Sequence, residues 1–72
     1  MMHVYYHDSQ SILVVNPKGK IRKLYVPFRV LSIENNSWMY VTEVGSKNND
    51  ELIYFINGNP YPYSLFEIRI KF

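Results

Sequence analysis

The sequence predicts a single all-β domain, and three observations carry that prediction. The 72 residues contain no alanine, while seven Val, seven Ile, seven Tyr, four Phe and one Trp supply most of the apolar content. Alanine is the strongest helix former, whereas β-branched and aromatic side chains fit a pleated, half-buried surface. Short apolar runs alternate with clusters of turn residues along the whole chain, and Glu67-Ile68-Arg69-Ile70-Lys71-Phe72 alternates polar and apolar without error, which is the period of a strand.

The elements follow in order. Val4 to His7 and Ile12 to Val15 form two short strands across the turn Asp8-Ser9-Gln10, and Asn16-Pro17-Lys18-Gly19 supplies a second turn. From Ile21 to Glu34 the apolar content is too long for one flat strand. Pro27 has no N–H to donate to a ladder, so a bend or bulge there is expected to split the run between two sheets or to leave it at an edge. Asn35-Asn36-Ser37 is a turn, and Trp38 to Val44 is expected to be a central strand. Gly45 to Asp50 has loop chemistry, and Leu52 to Ile56 is a wholly apolar strand. Asn57-Gly58 is the strongest tight-turn signal, because both residues accept the positive φ angles of a type I′ turn. Pro60-Tyr61-Pro62-Tyr63 is extended, and Ser64-Leu65-Phe66-Glu67 has the form of a capping box on one turn of 3₁₀ helix. The last strand then aims Ile68, Ile70 and Phe72 at the core.

These parts make one domain over residues 1–72: a small antiparallel barrel of five to six strands, preferred over an open sandwich because closure leaves fewest exposed edges. A core of this size supplies roughly 3–5 kcal/mol of net stability, and with no cysteine there is no disulfide to add to it. From about Leu24 to Phe72 the order of parts resembles SH3-like small barrels, including KOW-type and Tudor-type domains. The long bent strand, the turn at Asn35-Asn36, the strand from Trp38, the tight hairpin, the one-turn helix at Pro62 to Phe66 and the final alternating strand carry that resemblance. It implies a binding fold. The acidic loop and paired tryptophans of peptide-binding SH3 domains are missing, and the Asn57-Gly58 turn falls one strand later than the simplest alignment places it.

Candidate chemistry narrows toward binding. His3 and His7 would share one face of a helix, but on a strand they lie about 13 Å apart at roughly 3.3 Å per residue, too far to share a metal ion. The serines carry no nucleophile motif, Glu43, Glu51 and Glu67 fall on different predicted strands, and three isolated glycines make no phosphate loop. A barrel this small fills its interior with its own side chains. No enzyme activity, cofactor, metal or small-molecule substrate is therefore expected. No apolar run approaches the ~18 residues of a membrane span, and Met1 to Tyr5 lacks the regions of a signal peptide, so a cytoplasmic location without a membrane partner is expected.

Two surfaces remain. Twelve aromatic residues exceed what one small barrel can hide. Trp38 and Tyr40 on one face of their strand, with Tyr61 and Tyr63 flanking Pro62, are the candidates for contact with a protein partner or for self-association. Lys18, Lys20, Arg22, Lys23 and Arg29 fall within twelve residues that hold no acid. With Tyr25 they are the candidates for meeting a phosphate backbone and stacking a base, although the net charge of +2 is small for a nucleic-acid protein. A structural subunit of a larger assembly is a third expectation. Asn, Ile, Tyr and Lys, whose codons are rich in A and T, are abundant, which points to an AT-rich genome and to a small regulator encoded by a phage or mobile element.

Overall fold

The computed structural model describes residues 3–47 and 51–71. Over these residues it is all-β: nine short strands, β1 (His3–His7), β2 (Ser11–Val15), β3 (Ile21–Tyr25), β4 (Phe28–Ser32), β5 (Trp38–Val41), β6 (Glu43–Ser46), β7 (Leu52–Ile56), β8 (Asn59–Pro62) and β9 (Phe66–Glu67), with a 3₁₀ turn at Tyr63–Leu65. They pair antiparallel in three three-stranded sheets, β1-β2-β3, β5-β4-β9 and β6-β7-β8. The sequence predicted five or six strands closing into a barrel; among the described residues the ladders stay within these three sheets.

The larger strand count has physical causes: two long apolar runs are each cut once, and the extended segment after the Asn57-Gly58 turn pairs with β7 as β8. The run from Ile21 breaks at Val26-Pro27, whose peptide bond is cis: the Val26 N–H still donates to the Gln10 carbonyl at 2.8 Å, in register with the pairing of β3 on β2, and Pro27 has no N–H to carry a ladder further. This splits the run between the first and second sheets, as Pro27 led one to expect. The run from Trp38 breaks at Thr42, whose N–H and hydroxyl both donate to the Phe55 carbonyl, at 2.9 and 3.2 Å. The chain thereby passes from the second sheet to the third. Trp38 to Val44 is thus not a central strand, since β5 and β6 are edges and the central strands are β2, β4 and β7.

The turns are built by the residues that announced them. The Gln10 N–H and the Ser11 hydroxyl donate to one oxygen of Asp8 at 2.9 and 3.0 Å, closing the β1–β2 turn. The Asn16 side chain accepts from the N–H groups of Lys18 and Lys20, while Gly19 takes φ +84°. Asn57 and Gly58 have φ +53° and +78°, so Ile56 and Asn59 face each other across a two-residue type I′ turn. The Gly45–Asp50 loop is shorter than expected at its start, since Gly45 and Ser46 belong to β6; residues 48–50 lie outside the described residues.

One core joins the sheets. Ile12 and Val14 of β2, Phe28 and Val30 of β4, Val41, Val44, and Leu52, Tyr54 and Ile56 of β7 are buried together. Tyr54 sits at the centre, edge-on to Phe28 at 5.7 Å and tilted against Phe66 at 6.0 Å, and burial raises its phenol pKa well above the ordinary value.

The chain end departs from the sequence expectation in two places. No side chain caps the 3₁₀ turn, which Pro62 precedes; the backbone is extended again at Phe66, so Ser64 to Glu67 does not form a capping box. The final strand pairs with β4 only through Phe66 and Glu67. Beyond them the alternation persists, with Ile68 and Ile70 half-buried against the core and Arg69 and Lys71 exposed. There the tail approaches β3, where Arg22 donates to the Lys71 carbonyl, instead of continuing along β4. Phe72 lies outside the described residues.

Candidate functional site

The register of the second sheet decides which side chains reach solvent together. Directly opposed residues in an antiparallel pair point to the same face. Val30 opposite Met39 and Phe28 opposite Val41 point inward; Arg29 opposite Tyr40 and Leu31 opposite Trp38 share the other face, where Leu31 is buried and Arg29, Trp38 and Tyr40 reach solvent. Trp38 is 44% and Tyr40 60% exposed, and the expected sharing of one face by these rings holds. The Arg29 guanidinium carbon lies 4.2 Å from the centroid of the Trp38 ring, so one residue of the basic set joins two of the aromatic set. Among the described residues no carboxylate pairs with Arg29; the one ion pair they contain joins Arg69 to Glu67 at 3.3 Å.

Beside these rings an open groove of about 260 Å³ is lined by Trp38, Met39, Tyr40, Thr42, Ile56 and Asn57. It exists because β7 turns away at Asn57-Gly58 while β5 continues past it. Its lining holds no carboxylate, imidazole, amine or thiol, and the Thr42 hydroxyl is engaged by the Phe55 carbonyl.

The other candidate rings divide. Tyr61 is half-buried and stands edge-on to Phe66 at 6.1 Å, so its ring contributes to packing, whereas Tyr63 is 46% exposed. The basic residues do not form one patch. Lys18 and Lys20 lie in the β2–β3 turn, Arg22 and Lys23 leave opposite faces of β3, and Arg29 belongs to another sheet. Lys23 instead rests its ammonium 5.1 Å over the ring of Tyr25, its neighbour on the outer face of β3.

That outer face of the first sheet escaped sequence reasoning. Tyr6, Leu13, Val15, Ile21 and Tyr25 lie on it, with Ile21 60% and Tyr25 64% exposed. The signal was present in Leu24: once that residue is placed in the core, the period of two sends Ile21, Lys23 and Tyr25 outward.

Compared with known proteins, the chain matches no family model, no curated protein and no solved structure.

Proposed function

We propose that this chain is a small non-enzymatic binding module that contacts a protein partner through the outer face of β5. The observation that carries the reading is the cluster of Trp38, Tyr40 and Arg29, in which two exposed rings and a guanidinium with no carboxylate partner among the described residues are held by one register beside an apolar groove. Tryptophan, tyrosine and arginine are the residues that dominate binding energy at protein interfaces, because large rigid side chains bury area at little entropic cost. The lining of the groove supports recognition: it is made of aromatic, aliphatic and neutral polar side chains, with no carboxylate, imidazole, amine or thiol.

An SH3-like arrangement belongs to the same proposal. In support of it, the bent β5–β6 run pairs first with β4 and then with β7, the tight hairpin and the 3₁₀ turn follow, and β9 returns to β4. In that reading β1 to β3 precede the small fold, and the Asn57-Gly58 hairpin joins β7 to β8.

The test is a photoreactive residue at position 40 of the full chain, irradiated in its native cells. An adduct digested by protease, resistant to nuclease and lost with Trp38→Ala is expected. An adduct digested by nuclease alone, in which Lys18, Lys20, Lys23 and Tyr25 carry the binding, would replace this reading with the nucleic-acid one. No adduct at position 40 would remove β5 as the contact.

A further inference from the structure

Resting on the proposed protein-binding role of β5, we propose that its partner is an extended peptide segment that adds as a strand to the free edge of β5, with an acidic side chain meeting Arg29. The backbone directions follow from two hydrogen bonds. The Ser32 N–H donates to the Ser37 carbonyl at 2.8 Å, and Ser32 and Ser37 continue the register in which Leu31 faces Trp38. Hydrogen-bonded and non-bonded pairs alternate in an antiparallel ladder, so Met39 and Val41 turn their backbone groups toward β4, and Trp38 and Tyr40 turn theirs the opposite way. Thr42, next in that series, confirms the direction by donating to the Phe55 carbonyl on β7. Since β7 ends at Ile56, Trp38 and Tyr40 meet no backbone partner among the described residues.

The other edges are each blunted by a recognisable device. β1 carries an irregularity of register between Val4 and Tyr6, and β3 carries Arg22 and Lys23. β8 has Pro60 and Pro62, whose ring nitrogens fall on the side away from β7, so its outer edge lacks those donors. β6 is met by the β1–β2 turn, where the Val44 N–H donates to the Ser9 carbonyl at 3.1 Å, and β9 has only two residues. β5, Trp-Met-Tyr-Val, has no charge, proline or bulge. An unprotected apolar edge is what strand addition uses, with main-chain bonds for affinity and alternate side-chain pockets for selectivity.

The chemistry of the peptide follows from what lies on either face of an added strand. Inward side chains enter the groove beside Met39 and Ile56, which favours an aliphatic residue. Outward ones emerge beside Trp38 and Tyr40. There the stack on Trp38 carries the Arg29 charge from β4 across to β5, about 4.8 Å nearer the edge, and its donors, which meet no carboxylate among the described residues, favour a carboxylate. The segment is short, since the edge offers four residues.

The experiment uses linear peptides selected by display against the full chain, together with chain made by total synthesis. Selected peptides are expected to alternate aliphatic and acidic residues, to slow hydrogen exchange at the Trp38 and Tyr40 amides, and to lose at least tenfold in affinity when N-methylated at alternate amides. N-methylation of the protein at Tyr40 keeps the ring and the ladder to β4, and should leave the amide spectrum folded while costing a similar factor. Peptides that bind equally well when N-methylated, with Trp38 and Tyr40 unprotected, overturn strand addition yet leave a protein-contact role for β5 standing if the position-40 adduct forms. Protection of these two amides that grows with protein concentration in the absence of peptide overturns the peptide as occupant in favour of a second copy. Failure of both the adduct and the selection removes both readings.

Discussion

The guanidinium of Arg29 stacks on Trp38 although the two are not directly opposed: Arg29 faces Tyr40 across the ladder, and Trp38 faces Leu31. The long side chain crosses the sheet diagonally, and its charge sits on the edge strand. An exposed cation on a ring contributes about 0.5–1 kcal/mol. Arg29→Ala should therefore lower the unfolding free energy by about that amount in urea titrations and alter the emission of Trp38, the only tryptophan. Arg29→Lys should fall between the two, since it keeps the charge and loses the planar stack.

Asp8 makes the β1–β2 turn pH-dependent. The Gln10 N–H, then the Ser11 hydroxyl, favour its charged form and hold its carboxyl below the ordinary carboxylate value of 3.8. A depressed folded-state pKa means stability that is fully present above the unfolded value and lost as pH falls through the folded one. Thermal unfolding of Asp8→Asn should show a lower midpoint than the parent at neutral pH. The difference should shrink as pH drops below about 4.

Tyr54 sets the alkaline limit. Burial raises its phenol pKa, so the folded state retains a proton that the unfolded chain gives up. Its contribution is whole below about pH 10 and declines as pH rises beyond the unfolded value. Tyr54→Phe should flatten the loss of stability above about pH 10, measured by circular dichroism at fixed temperature.

The Asn57-Gly58 turn and the core test the fold itself. Gly58 has φ +78°, and a residue with a Cβ there costs about 1–2 kcal/mol. At this chain length Gly58→Val should lower the midpoint by roughly 4–8 °C per kcal/mol. Ile12 is fully buried, and Ile12→Ala should cost roughly 2–5 kcal/mol, comparable with the whole net stability of so small a domain. That variant should be largely unfolded at 37 °C by near-ultraviolet circular dichroism.

Local chemistry made most of this fold legible. Asn57, Gly58, Asn16, Gly19 and Pro27 each constrain their own backbone, and each stands where that constraint predicts. What escaped depends on contacts remote in sequence. Nothing near Thr42 announces that its N–H will leave the register for Phe55, and nothing near Glu67 announces that the tail will leave β4 toward Arg22. The site divides in the same way: period two placed Trp38 and Tyr40 together. Arg29 is near Lys18 to Lys23 in the chain, but the register between strands places it against Trp38.

The most direct test of an open β5 edge is amide hydrogen exchange by nuclear magnetic resonance on the dilute chain without ligand. Met39 and Val41, whose N–H groups turn toward β4, should exchange slowly, and Trp38 and Tyr40 rapidly, giving an alternation along one strand. Equal protection of Trp38 and Tyr40 in the dilute monomer would mean that the edge is already paired within the chain, and β5 would then have no place for a partner strand.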